Sequence, residues 1–167
     1  MNIAIVYKSV TGNTKIIADK IKEKLGDNVK YFGEPKEGIE AELYFVGSWT
    51  DKGMCCKEIE NFMKSLENKQ IIYFGTAGFG ESKEYYEMLF NRIKEIIPES
   101  NKIISYFFCQ GKMPIAVKER YEKMIKENPS DKKIKLILEN FDKALEHPNE
   151  EDFKELSNWI DNLNIVN

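Results

Sequence analysis

The sequence predicts an α/β fold, a three-layer doubly wound sandwich built on a five-stranded parallel sheet. Short apolar runs alternate with longer amphipathic segments from the first residue onward. The runs are apolar throughout, which is typical of parallel strands covered by helices on both faces. With 167 residues, 42% of them apolar, the chain is long enough for one sizeable core, so we expect one domain over residues 1–167.

The first unit is a strand, a turn and a helix. The run Asn2–Tyr7 predicts the first strand, helical spacing follows from Thr14 to Leu25, and Gly26 ends that helix. Asn28–Phe32 predicts a second, weaker strand. This order begins a βαβ pattern.

The third strand is predicted over Ala41–Gly47, followed by a polar loop over Trp49–Gly53. Apolar residues from Cys56 to Leu66 then fall at helical spacing. Gln70–Gly75 predicts the fourth strand.

A glycine-rich loop, Thr76–Glu81, follows the fourth strand. Ser82 is a candidate N-cap for a helix that we expect to run to Ile97, against Pro98. Lys102–Phe108 predicts the fifth strand.

Three further helical patterns follow, over Ile115–Glu127, Asp131–Glu146 and Glu150–Leu163. One helix is enough to cover the last strand, so residues 113–147 are predicted to be a helical addition. The final helix, over residues 150–164, has a continuous apolar side and is predicted to cover the sheet.

The composition excludes several classes of protein. The net charge is −3 and Lys and Glu are interleaved, so nothing resembles a nucleic-acid binder. No apolar run approaches the roughly 20 residues that span a bilayer, and no signal-type apolar region follows Met1. Three cysteines and one histidine build no disulfide framework and no zinc site. We therefore expect a cytoplasmic protein without a structural metal.

The three cysteines are expected to be inert. Cys109 ends the fifth strand, and its alternative role is a reactive thiol whose pKa Lys112 lowers. For the adjacent pair Cys55 and Cys56, the alternative is a redox couple.

The turn after the first strand is the first candidate site, because ligands of such sheets bind at the carboxyl ends of the strands. It offers hydroxyl and amide side chains, one glycine and the start of a helix, in the order Ser9, Val10, Thr11, Gly12, Asn13 and Thr14. These features suit a phosphate. The alternative is that Thr and Asn merely cap the helix. Neither GxxxxGK[ST] nor GxGxxG occurs, so neither an NTPase nor a dinucleotide site is supported.

The segment Ile5-Val6-Tyr7-Lys8-Ser9-Val10-Thr11-Gly12-Asn13-Thr14, with Ala18 and Ile21 one turn on, resembles the FMN-binding signature of the flavodoxins. The segments "GSWTDKG" and "CQGKMP" are similar to those of a short-chain flavodoxin-like group. The resemblance implies the strand order 2-1-3-4-5 and FMN as the cofactor. It assigns the FMN phosphate, bound without a salt bridge, to the turn 9–14.

Two more loops should open at the same edge of the sheet and complete the site. They contribute the remaining candidate cofactor-binding residues: Ser48, Trp49, Thr50, Gly53, Thr76, Ala77, Gly78, Phe79 and Gly80. Trp49 could stack on the flavin ring or fold back over the core, and Phe79 could flank the ring. By resemblance, the Gly53 peptide is the one whose carbonyl turns toward the reduced ring.

The resemblance implies an electron-transfer protein that serves a larger redox enzyme, with no catalytic residue and no metal. The first alternative is a stand-alone or accessory FMN-dependent reductase that uses NAD(P)H to reduce a quinone or a tetrapyrrole-like compound. The second is a flavin-free module that binds a phosphate or another anion. A redox protein is the expected partner, and neither nucleic acid nor a membrane span is expected.

Overall fold

Five parallel strands form the centre of the fold in this computed structural model, which describes residues 1–80 and 82–165. A short sixth strand pairs antiparallel with one of them. In chain order the strands are β1 (Ile3–Tyr7), β2 (Val29–Gly33), β3 (Leu43–Asp51), β4 (Met54–Cys55), β5 (Gln70–Ala77) and β6 (Lys102–Gln110).

The sheet order is β2-β1-β3-β5-β6, and β4 pairs only with the end of β3. The predicted order 2-1-3-4-5 is confirmed, because the fourth and fifth predicted strands are β5 and β6. The sequence did not predict β4.

Six α-helices accompany the sheet over the described residues. They are α1 (Asn13–Leu25), α2 (Lys57–Lys64), α3 (Lys83–Lys94), α4 (Ile115–Glu127), α5 (Lys132–Ala144) and α6 (Glu150–Asn162). A 3-10 turn, Gly26–Asn28, follows α1.

The strands bury both faces, so the core has two layers. On one face, Ile5 and Phe45 pack with Ile17 of α1 and with Leu156 and Ile160 of α6. The opposite face joins the sheet to the buried side chains of α2 and α3. Because helices cover both faces, the strands can be apolar throughout, as the sequence predicts.

Three strands are longer than the sequence predicts. The segment Trp49–Asp51 was expected to be loop, but it continues β3. Thr76 and Ala77 continue β5. The fifth predicted strand, expected to end at Phe108, continues to Gln110. These polar ends are strand because a neighbouring strand satisfies their backbone groups, as in the pair Trp49↔Thr76.

The predicted loop Trp49–Gly53 is therefore wrong for Trp49–Asp51 and correct for Lys52 and Gly53. Only Lys52 and Gly53 form the turn, and the chain returns as β4, where Thr50 pairs with Cys55. Lys52 and Gly53 have φ values of +50° and +79°. Such positive values are typical of the turn of a tight hairpin.

Four helices are shorter than expected. Helices α5 and α6 end early, at Ala144 and Asn162. Helix α2 begins at Lys57 and ends at Lys64, with Cys56 as its N-cap. Helix α3 begins after the N-cap Ser82 and ends at Lys94, before the predicted end at Ile97. Of the loop predicted over Thr76–Glu81, residue Glu81 lies outside the described residues.

The last three helices occupy different places. Helix α6 packs on α1 and β6, with Leu156 and Ile160 buried. Helix α4 packs on α5 and buries no residue of its own, whereas α5 buries Ile134, Phe141 and Ala144. Within the described ranges, no helix has both the length and the apolar character needed to cross a membrane.

Candidate functional site

The turn between β1 and α1 presents backbone amides at the carboxyl edge of the sheet. Gly12 has a φ of +92°, which favours glycine, and it is the N-cap of α1. The first helical hydrogen bond runs from the Ile16 amide to the Gly12 carbonyl at 3.0 Å. The amides of Asn13, Thr14 and Lys15 precede that bond and are the free donors of a helix N-terminus. Such donors, at the positive end of the helix dipole, attract an anion.

No side chain of the described residues caps α1. The Ser9 hydroxyl accepts a hydrogen bond from the Gly12 amide at 3.2 Å, which closes the turn before the helix begins. Its own hydrogen remains available to a ligand. The alternative in which Thr and Asn of the turn are present to cap the helix therefore does not describe this structure.

Thr14 and Ser48 are buried and hold the site together. The Thr14 hydroxyl lies 3.0 Å from the hydroxyl of Thr76, at the end of β5. The Ser48 hydroxyl accepts from the Cys56 amide at 2.9 Å and donates to the Trp49 carbonyl at 2.6 Å. These bonds tie the ends of β3 and β5 to α1 and α2.

The hairpin of β3 and β4 forms one wall of the site. The Thr50 hydroxyl donates to the Thr76 carbonyl at 2.9 Å, which fixes the hairpin on β5. Trp49 is partly buried, and it both packs on the core and faces the cavity described below. The residue thus covers part of the core, as one interpretation expects, and its stacking on a flavin ring stays a prediction.

The loop after β5 forms a second wall. Its Gly78 carbonyl accepts hydrogen bonds from the side chains of Gln110 at 2.9 Å and of Asn140 at 3.0 Å. A helix of the C-terminal addition, α5, thereby holds this loop in place. Phe79, the next residue, is 42% exposed.

These elements surround a cavity of about 560 Å³, within the usual range of about 300–1,000 Å³ for ligand sites. Ten of the predicted site residues line it: Val10, Thr11, Asn13, Trp49, Thr50, Gly53, Thr76, Ala77, Gly78 and Phe79. The three loops predicted to converge at this edge thus meet at one cavity.

Five predicted residues do not line the cavity: Ser9, Gly12, Thr14, Ser48 and Gly80. The first three belong to the turn 9–14, and the Ser48 hydroxyl bonds within the hairpin segment, to Trp49 and Cys56. Gly80 lies against Tyr86 and Gln110, where a side chain would clash.

The sequence did not indicate the third wall, which comes from the segment after β6 and from α4. Its residues are Gly111, Lys112, Met113, Pro114, Val117, Arg120 and Tyr121. The predicted fold could have indicated the first of these residues, because the segment after the fifth strand lies at the same edge of the sheet. Asn13 connects this wall to the turn, since its amide donates to the Lys112 carbonyl at 2.8 Å. Gly111 packs so closely on Asn13 that a Cβ would lie 2.5 Å from that amide nitrogen.

All three thiols are free and buried. Burial raises the pKa of Cys55 to about 12. It also raises the pKa of Cys56 and holds that of Cys109 well above its usual value. A thiol that remains protonated is a poor nucleophile, so the environment does not favour a reactive cysteine.

Comparisons with known proteins identify the family. A family model described as a flavodoxin domain matches residues 4–161. The chain is 40% identical to the flavodoxin-like domain-containing protein BilS of Clostridium symbiosum (strain WAL-14163), over 96% of this chain and 94% of the relative. It is 35% identical to the protein of the same name from Clostridioides difficile (strain CD3), over 99% and 97%.

A solved structure shows the same fold. Oxidised Flavodoxin 1 from Bacillus cereus superposes with a TM-score of 0.60 at 13% identity, over 98% of this chain and 97% of that protein. The family match, the two relatives and the order of the strands agree, and this chain belongs to the flavodoxin domain family.

Proposed function

We propose that this chain binds FMN in the cavity and carries electrons to a larger redox enzyme. Two features that meet at one cavity of about 560 Å³ carry the proposal. The first is the N-terminus of α1, which no side chain of the described residues caps, and the second is the hairpin of β3 and β4, which contributes Trp49. When bound, FMN supplies the one- and two-electron chemistry, and the protein supplies binding and electrostatics.

The phosphate would lie at the turn. The amides of Asn13, Thr14 and Lys15 and the hydroxyls of Ser9 and Thr11 are donors that hold a dianion without a cation beside it. The Lys8 ammonium is engaged elsewhere, at 2.8 Å from Glu34. The turn therefore positions a phosphate by hydrogen bonds and the helix dipole.

The residues present also fit the rest of FMN. Asn13 is 5% exposed, and its side-chain oxygen lacks a hydrogen-bond donor among the described residues. A hydroxyl of the ribityl chain is a donor of the kind that this oxygen needs. Farther along the cavity, Trp49, Phe79 and Tyr85 offer aromatic surface for a flat ring.

The surroundings of the cavity suit binding rather than bond making. Asp51 is the only carboxylate that lines it over the described residues, so no carboxylate pair is present there. Electron transfer needs no acid or base from the protein, and we therefore assign no catalytic residue. The three reduced, buried thiols support a reducing compartment such as the cytoplasm.

A second function remains a candidate because α4 closes one side of the cavity. Val117, Arg120 and Tyr121 of this helix line it. Such a wall would suit a substrate of an FMN-dependent reductase, the quinone or tetrapyrrole-like class named above. A flavin-free anion site is the third candidate, and it would need only the turn.

Stepwise anaerobic reduction of the purified, FMN-loaded protein tests these proposals. We expect flavin absorption bands and reversible one-electron steps. Reduction should require a separate reductase, with slow NAD(P)H oxidation by the chain alone. Rapid NAD(P)H oxidation that depends on an added quinone would instead favour the enzyme, and a colourless protein that takes up no FMN would leave only the anion module.

A further inference from the structure

The charged residues that line the cavity are mostly cations, although the whole chain is negative. Lys52, Lys112 and Arg120 line the cavity, and Asp51 is the only acidic residue that lines it in the part of the chain that the structure describes. Glu119 and Glu122 lie next to Arg120 on α4, outside the cavity. Three cations against one carboxylate give a local charge of +2, whereas the chain carries −3.

A fourth cation lies next to this group. Arg92 of α3 extends its guanidinium to the hairpin turn, where a Cβ placed on Gly53 would lie 2.2 Å from Nη1. Arg92 and Arg120 are the only arginines of the sequence. One of them therefore lines the cavity, and the other contacts the hairpin turn at Gly53, a residue that lines it.

These four cations are not neutralised by neighbouring side chains. None of them forms an ion pair with a carboxylate of residues 1–80 or 82–165. Other lysines of the chain do, for example Lys15 with Asp19 at 2.7 Å and Lys118 with Asp142 at 2.9 Å. Unpaired charges of one sign around a concave site focus the field and select partners of the opposite sign.

We propose that Lys52, Arg92, Lys112 and Arg120 form a basic docking rim that receives the acidic face of a redox partner protein. This inference rests on the proposed electron-transfer function, because it places the partner over the cavity that holds FMN. Carboxylates on the partner would meet the rim and bring its redox centre close to the ring. Long-range steering by the net charge would oppose this contact, so selectivity comes from the local field.

The local electrostatic field at the rim is tested first with small charged electron acceptors, because these need no knowledge of the partner. The FMN-loaded protein is fully reduced without oxygen and mixed in a stopped-flow instrument with ferricyanide, an anion, or with hexaammineruthenium(III), a cation. Salt screens the attraction between opposite charges. We expect the rate with ferricyanide to fall as ionic strength rises from 10 to 300 mM, and the rate with the ruthenium complex to rise.

Two variants separate the rim from the net charge. Arg120→Glu and Lys30→Glu change the total charge equally, but Lys30 lies at the start of β2, on the far edge strand of the sheet. At low salt, Arg120→Glu should lower the ferricyanide rate by about ten-fold or more, within the range of electrostatic steering. Lys30→Glu should change it less than two-fold.

Protein acceptors provide the direct test of the partner. The reduced protein should reduce an acidic redox protein such as a rubredoxin faster at low salt than at high salt, and Arg120→Glu should remove that dependence. Basic cytochrome c should show the opposite salt dependence. FMN affinity is measured in parallel for each variant.

Several results would overturn the basic rim. One is an equal response of Arg120→Glu and Lys30→Glu to ferricyanide. Another is a change of FMN affinity in Arg120→Glu with an unchanged salt dependence, which would mean that the arginine binds the cofactor. A third is a variant that slows electron transfer to ferricyanide but not to the acidic redox protein. In that case the basic residues attract small anions without docking a protein partner. A protein that binds FMN and transfers electrons, but whose rates with ferricyanide and with the ruthenium complex show no dependence on salt, contradicts this inference alone. Failure to bind FMN contradicts the proposed function and the rim together.

Discussion

Thr14 Oγ1 and Thr76 Oγ1 lie 3.0 Å apart in the buried interior, and their hydrogen bond joins the start of α1 to the end of β5. The turn 9–14 leads into α1, which begins at Asn13, and the loop that contains Phe79 follows β5. One bond between two hydroxyls therefore links the turn to the end of the strand that leads into the Phe79 loop.

The first prediction concerns this bond. Thr14→Val or Thr76→Val leaves one buried hydroxyl without its partner, which should cost about 1–3 kcal/mol in the free energy of unfolding. In the double variant both hydroxyls are absent, so its loss should be smaller than the sum of the two. Urea denaturation of the apoprotein measures all three. Strictly additive losses would show that the two hydroxyls do not depend on each other.

Trp49 is predicted to contribute binding energy to the flavin ring. Removing it by Trp49→Ala should weaken FMN binding by about 1–3 kcal/mol, the range for stacking of a base on an aromatic side chain. Fluorescence titration with FMN measures the affinity. The control is Trp159→Phe, because Trp159 donates its indole N–H to Ser105 at 3.0 Å and belongs to the core layer under α6. Equal affinities for the Trp49 variant and the parent would place the ring elsewhere.

Gly53 is predicted to tune the flavin through its peptide. The change Gly53→Ala introduces strain of about 1–2 kcal/mol at a φ of +79°, and it displaces the Arg92 guanidinium. We expect the potential of the first one-electron reduction to shift. Gly38→Ala is the matched control, because Gly38 has a φ of +76° and open space around it. That variant should lose stability while its potential stays at the parent value. An unchanged potential in Gly53→Ala would refute the role of this peptide.

The buried thiols predict a loss of stability at alkaline pH. Burial raises the pKa of Cys55 in the folded state to about 12, from an ordinary value of about 8.5. Between these values the unfolded chain has lost the thiol proton and the folded chain retains it, so stability is complete below about pH 8.5 and falls as pH rises toward 12. Thermal melts at pH 8 and pH 10 measure the effect, and Cys55→Ala should show a smaller difference.

The same burial gives a prediction for chemical reactivity. Ellman's reagent at pH 8 should leave the native thiols almost unreacted and should titrate three thiols in denaturant. A thiol of the folded protein that reacts within seconds would revive the reactive role considered for Cys109.

The parallel sheet could be predicted because local signals suffice for it, whereas the order of its strands came from the resemblance to the flavodoxins. Buried strands such as β1 are wholly apolar, and Gly26 ends α1 where the sequence predicts. The turn 9–14 could also be singled out as a candidate site, since its residues are contiguous, and its binding of a phosphate stays a prediction. Each of these features depends on neighbours within a few positions.

The hairpin and the third wall could not be predicted, because they depend on distant partners. Trp49 and Thr50 are polar or amphipathic, and only pairing with Thr76 and Cys55 makes them strand. Helix α4 has an ordinary amphipathic pattern, and nothing in that pattern indicates that Arg120 lines a cavity shared with the turn after β1 and with the hairpin of β3 and β4. Tertiary contacts, rather than local propensity, determine both features.

The central claim is that the turn 9–14 binds the phosphate of FMN, and a comparison of FMN with riboflavin tests it most directly. Riboflavin has the same ring and ribityl chain but no phosphate. Titration of the apoprotein should give one FMN per chain, with riboflavin bound at least ten-fold more weakly because the amides of α1 have no anion to hold. Equal affinity for the two flavins, or no binding of FMN, would contradict the account.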